Sequence, residues 1–171
     1  MSRSVSSRSE SVAASPRAPC EIRVGFVTWL LDETLSPCQN SESMKIEHVA
    51  LQVPDPVKLA EWYVAHLGMR VVRSFGPPAH ARFLADSAGQ TVLEVYNNPK
   101  ASMTDYRKLD PLHLHIAFAT DDVPATRQRL LAAGATTEGE VVVSETGDTL
   151  AMLRDPWGVP VQLVKRKQPL S

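Results

Sequence analysis

The amino-acid sequence predicts an α+β fold made of two tandem βαβββ modules. Three observations carry the expectation: the chain repeats itself, its strands alternate with period two, and its two helices have matched start and stop signals. The run His48, Val49, Ala50, Leu51, Gln52, Val53 returns as His115, Ile116, Ala117, Phe118, Ala119, Thr120. Acidic and proline residues follow each run, then a helical stretch that ends at Gly68 or Gly134. Phe83 to Asp86 with Gly89 matches Met152 to Asp155 with Gly158. The offset between copies stays within 66–69 residues, a drift too small to arise readily by chance.

Taken in order, module one spans 44–98 and module two 112–167, with a linker from Pro99 to Pro111 and a tail at 168–171. In the first strand, 46–53, Val49, Leu51 and Val53 share one face and His48, Ala50 and Gln52 the other. In its counterpart, 112–119, Leu114, Ile116 and Phe118 oppose His113, His115, Ala117 and Ala119. The apolar faces should pack on the helices. Asp55 caps the first helix with Pro56 at its opening; Asp121 or Asp122 caps the second with Pro124 in its first turn. Leu59, Trp62, Tyr63 and Leu67 form an apolar stripe on the first; Val123, Leu130 and Leu131, with the Arg127 stem, form a looser one on the second. Asp86 to Gly89 and Asp155 to Gly158 read as tight turns joining the last two strands of each module, which end in Val92–Tyr96 and Val161–Val164.

Composition bounds the function classes. A net charge of −1 leaves no basic stripe for nucleic acid or a membrane surface, so neither partner is expected. Cys20 and Cys38 both precede residue 44, which excludes thiolate chemistry or a Cys-ligated zinc within the repeated domain. No apolar run reaches the roughly 18 residues a membrane helix needs; Val24 to Leu31 is far too short. Residues 1–19 are rich in Ser, with Arg3, Arg8 and Arg17, and bury too little apolar surface to order themselves. Residues 1–43 read as a disordered extension, an organelle transit peptide or an over-long start; a true start at Met44 is the preferred expectation. A cytoplasmic location is expected for the domain.

Glu94 sits between Leu93 and Val95, so it faces away from the helix side with Val92 and Tyr96; Gln162 does the same between Val161 and Leu163. Four polar groups thus hold equivalent places, on the first and last strand of each module. Modules packed face to face would bring all four to one concave surface. Two imidazoles and a carboxylate on a small, apolar face suit a divalent metal; N/O donors fit Zn, Ni, Mn, Co or Fe. A single strand histidine is usually structural, but His48 and His115 recur at one place in a repeat, with a carboxylate on the matching strand. His113 shares the face of His115 and fits a rim position. Tyr96, Asn97 and Arg154 flank the site as candidate substrate contacts, with Tyr96 on the face of Glu94 itself. Arg82 could meet an anionic substrate; Trp157 packs over its turn.

The repeat with His48 to Val53, Leu93 to Asn97, His115 to Phe118 and Asp155 to Val164 resembles the glyoxalase/bleomycin resistance protein/extradiol dioxygenase superfamily, also called vicinal oxygen chelate, over roughly 44–167. The resemblance implies a curved mixed sheet with an open cleft. It implies one metal ligand from each of four strand positions, here His48, Glu94, His115 and Gln162, in a pattern similar to bacterial glyoxalase I. Glyoxalases usually carry Glu at the fourth position, where it also moves the substrate proton. Gln162 can ligate through its carbonyl oxygen, as Gln does in some members, but is no base at neutral pH. Any proton transfer therefore falls to Glu94 as the catalytic carboxylate. Glyoxalase- or epimerase-like lyase or isomerase chemistry on a small oxygen-rich substrate is the leading expectation. Fe(II) ring cleavage ranks lower, because the extradiol enzymes place their carboxylate where this chain has Gln162. A metal-free antibiotic-sequestering protein is the third reading. The superfamily pairs modules within one chain or between two, and a homodimer with sites at the module interface is expected.

Overall fold

The computed structural model describes residues 44–90 and 92–170. The expectations for residues 1–43, with Cys20, Cys38 and the Val24–Leu31 run, lie outside the described residues. The described residues form one compact unit.

Module one runs β1 (Val49–Gln52), α1 (Pro56–Leu67), β2 (Arg70–Ser74), β3 (Arg82–Ala85) and β4 (Val92–Tyr96). Its sheet has the order β1-β4-β3-β2, with β1 parallel to β4 and the remaining pairs antiparallel. Module two runs β5 (Ile116–Ala119), α2 (Val123–Ala132), β6 (Thr136–Thr137), β7 (Val142–Val143), β8 (Thr149–Arg154) and β9 (Pro160–Lys165). Its order is β5-β9-β8-β6, and β7 also pairs β8. β6 and β7 thus share one partner and form a single interrupted strand, broken where Gly139 adopts φ +89°. The βαβββ duplication stands, with the register repeated: Ala50 pairs Glu94 and Ala117 pairs Gln162.

The helix signals act as expected. The Asp55 carboxylate accepts from the Lys58 N–H at 3.1 Å, and Asp122 accepts from Ala125 at 2.9 Å. Gly68 ends α1 in the left-handed region, at φ +70°. The strands are shorter than the alternation suggests. β1 and β5 are sheet edges, and their ladders begin at Val49 and Ile116, so both histidines stand one residue before a strand. His113 is not on a strand: Asp110 closes a turn there, its carboxylate accepting from Leu112 N–H at 2.8 Å and its carbonyl from His113 N–H at 2.9 Å.

α1 decides how the modules meet. One side buries Leu59, Ala60 and Tyr63 with Leu51, Leu84, Leu93 and Val95 of its own sheet. Trp62 and Leu67, with Phe118 of β5, also pack on the second core, around Val123, Leu130, Ala151, Leu153 and Leu163. Polar ties follow the same seam. Trp62 Nε1 donates to the Ala133 carbonyl at 2.8 Å, Arg129 to the His66 carbonyl at 2.7 Å, and Tyr63 Oη to Asp155 Oδ2 at 3.0 Å. The modules therefore join through their helix-side cores. The expected face-to-face packing does not form within one chain, and the strands lie in two sheets.

Candidate functional site

On module one, the sheet face away from α1 carries His48, Ala50 and Gln52 from β1 and its approach, and Glu94 and Tyr96 from β4. His48 Nε2 stands 3.3 Å from Glu94 Oε2, and both side chains remain partly accessible. His48 Nδ1 bonds the Glu47 carboxylate. That hydrogen bond, then the charges of Glu47 and Glu94, raises the imidazole above its ordinary range. The local chemistry explains the arrangement. With Nδ1–H donating to Glu47, the Nε2 lone pair points at a carboxylate, and two electron-pair donors face one another unless a proton or cation lies between. Phe83 meets His48 edge-on, with centroids 5.6 Å apart, and holds the ring on this face.

Module two repeats the placement with different groups. His115 precedes β5 as His48 precedes β1, and Gln162 stands on β9 beside Ala117 as Glu94 stands beside Ala50. His115 Nδ1 lies 2.8 Å from the Pro111 carbonyl, which fixes the ring and leaves Nε2 as the acceptor. Each module thus offers half a donor set: imidazole with carboxylate, or imidazole with amide. Among the described residues, no group of three His, Cys, Asp or Glu is placed to hold a metal ion. The expected convergence of His48, Glu94 and His115 therefore does not occur within one chain. The physical reason is the seam described above, which turns the helix sides of the modules toward each other.

The other sequence candidates separate. Tyr96 is half-buried on the Glu94 face, in register with Gln52. Asn97 instead staples loops: its side-chain amide donates to the Pro54 carbonyl at 2.9 Å and its backbone N–H to Ala79 at 2.8 Å. Arg154 is a correction. It is 8% exposed, and its guanidinium bonds Glu138, the Tyr106 carbonyl at 2.6 Å and the Leu109 carbonyl at 3.0 Å, so it fastens the linker and has no face toward a substrate. His113 is exposed on its turn. Arg82 donates to the carbonyls of Phe75, His80 and Ala81 and pins the β2–β3 loop.

Sequence reasoning missed Glu47, whose adjacency to His48 was the available signal, and Gln52. The Gln52 amide donates to the Asn98 carbonyl at 2.8 Å and accepts from the Asn98 N–H at 2.9 Å, which anchors the segment after β4. It also missed the burial of Asp155. Its carboxyl accepts from Trp157, Val159 and Tyr63, and burial pushes it up to about 6.

A model of the Glyoxalase/Bleomycin resistance protein/Dioxygenase superfamily matches residues 45–163. A Vibrio parahaemolyticus protein named probable lactoylglutathione lyase is 30% identical over 131 residues, covering 72% of this chain and 92% of its own. The crystal structure of a glyoxalase family protein from Enterococcus faecalis superposes with a TM-score of 0.56 at 25% identity, over 71% of this chain and 97% of that one. TnmS3, an antibiotic binding protein from Streptomyces sp. CB03234, shares the fold at 22% identity and a TM-score of 0.53, over 71% of this chain and 95% of its own.

Proposed function

The chain belongs to the Glyoxalase/Bleomycin resistance protein/Dioxygenase superfamily, and on that premise we propose that it is a metal-dependent lyase or isomerase whose site is completed by a second copy of itself. One observation carries the reading: the two half-sets of donors stand at matching places beside β1 and β5, and among the described residues each of these strands is paired on one side only. Pairing β1 of one protomer with β5 of the next would continue the sheet along edges that carry no other strand among the described residues, beyond the Gln52 backbone group that Tyr106 already holds. It would also bring His48 and Glu94 of one chain beside His115 and Gln162 of the other. Two imidazoles, a carboxylate and an amide oxygen fit a borderline divalent ion such as Zn, Ni, Mn, Co or Fe.

A bound divalent ion would hold neighbouring substrate oxygens and stabilise negative charge developing on them. The chain's own residues supply the rest. Glu94 is the only carboxylate of the four positions, so it takes the substrate proton and returns it at the adjacent carbon. Glu47 holds His48 in one orientation. Tyr96 stands on the same face with a hydroxyl for a substrate oxygen. Gln162 carries no charge at any working pH and positions without titrating. A lactoylglutathione lyase activity, named for the Vibrio relative, is one member of this reaction class.

The test is metal per chain after purification without chelator, together with mass by analytical ultracentrifugation. The expected result is a dimer whose metal falls when His48 or His115 becomes Ala. A monomer at working concentration contradicts the shared site. A metal-free dimer of unchanged ligand affinity supports the second reading, a small-molecule binding protein; that no three donors converge among the described residues of one chain favours it, and the fold shared with TnmS3 is consistent with it.

A further inference from the structure

The face that carries His48 and Glu94 extends across module one to a cation that no part of the reading above uses. β2 is irregular: Val71 pairs Leu84, Arg73 pairs Phe83, and the register slips between them. Leu84 is buried on the helix side, whereas Phe83 touches His48 on the opposite side. The slip therefore turns Arg73 onto the site face, where an unbroken strand would have kept it with Val71. Arg73, Phe83 and Glu94 then form one row across three adjacent strands.

The contacts along this row are continuous. His48 meets Phe83 at 5.6 Å, Phe83 meets Phe75 edge-on at 6.0 Å, and the Arg73 guanidinium stands 5.7 Å over the Phe75 ring. Phe75 is 50% exposed, so the aromatic floor is open to solvent. Arg73 meets no carboxylate among the described residues. A guanidinium stacked on an aromatic ring keeps its donor edges free, and those edges match the geometry of a carboxylate or phosphate.

We propose that Arg73 is the anion anchor of this site, and that Phe83 and Phe75 form an apolar floor between it and the His48–Glu94 end. This rests on the reading of His48 and Glu94 as the oxygen-binding end. The ligand class follows: a small organic anion with chelating oxygens at one end, an apolar middle, and a carboxylate or phosphate at the other. Arg73 lies two strand spacings from Glu94 and three from His48, which sets its length at about 10–14 Å between the ends.

Two matched probes test this on the full-length, metal-loaded protein by calorimetry: suberic acid monohydroxamate and its methyl ester, which differ in the distal charge and by one methyl group. The expected result is that the acid binds about ten-fold or more tightly than the ester, as loss of a charge-assisted bond to a neutral group requires. Arg73→Gln should erase that preference while leaving ester affinity and metal content unchanged. Phe75→Ala should weaken both probes together. Displacement of the acid by inorganic phosphate rather than acetate, at matched ionic strength, would assign a phosphorylated ligand, and the reverse a carboxylate. Equal binding of acid and ester overturns the anchor and leaves the oxygen-binding end intact. An Arg73→Gln variant that only self-associates more, with its preference kept, makes Arg73 a guard of the β2 edge and also overturns the anchor. Binding of neither probe overturns the anchor together with the reading beneath it.

Discussion

In module one the last strand sets Glu94 beside Ala50, and the position before the turn glycine's Asp86 is Ala85; in module two the same places hold Gln162 beside Ala117, and Arg154 before Asp155. The first and last strands pair in the same register in both modules, and the side chains on them divide the work. Module one keeps an open face with a histidine–carboxylate pair, an aromatic floor and a cation. Module two spends its charged residues on architecture: Arg154 holds the linker, Asp155 receives Tyr63 from α1, and Asp148 is tied to Arg166 at 2.7 Å and to the Lys167 N–H at 2.9 Å. The duplicated fold thus leaves the open histidine–carboxylate face on one module and the buried structural ties on the other.

The largest effect that tests this division is on Arg154. Arg154→Ala leaves the Tyr106 and Leu109 carbonyls without their partner and takes the cation from the exposed Glu138, and should cost about 3 kcal/mol in urea unfolding. A loss under about 1 kcal/mol would break the contrast with Ala85. His48→Ala removes an accessible side chain, so the fold should survive while bound metal falls at least about ten-fold by elemental analysis; retention of metal would remove chemistry from module one.

Asp155 gives a pH signature. Its folded-state value of about 6 stands above the ordinary 3.8, so the folded protein binds this proton more tightly than the unfolded chain. The stabilisation is complete below about pH 4 and is lost as pH rises through about 6, a change of about 2–3 kcal/mol. Asp155→Asn should flatten that part of the curve relative to the parent, since the amide oxygen still accepts from backbone N–H groups and the amide can donate to Tyr63. An unchanged slope would place the titration elsewhere. The smallest effect compares the caps: Asp55→Ala and Asp122→Ala should each cost about 1 kcal/mol, Asp55 slightly more because Lys58 Nζ also stands 3.2 Å from it. Markedly unequal costs would mean that the modules are not energetically equivalent.

The parts legible in the sequence are those that local rules control. Asp55 and Asp122 announce themselves as caps, Gly89 and Gly158 as the left-handed ends of matching turns at φ +73° and +91°, and the alternation around Glu94 and Gln162 gives their face correctly. What failed was set by partners far away in the chain. Alternation extends the strand back to residue 112, but a strand needs a ladder, and the Asp110 turn takes that segment first. Parity cannot reveal that Arg154 lies beneath the linker. Nor does it place Arg73, because the slip in β2 reverses the face that counting assigns. The convergence of the four donors was the furthest reach, since it depends on which sides of the modules meet, and Trp62, Tyr63 and Arg129 decide that through α1.

Mixing two defective variants tests the shared site most directly. His48→Ala and His115→Ala are unfolded and refolded together, and metal per chain is measured against each alone. If module one of one chain meets module two of the other, each mixed dimer holds one site with both histidines and one with neither, so metal recovers to about a quarter of the parent value at statistical mixing. No recovery, from variants that both fold and form mixed dimers, contradicts the account.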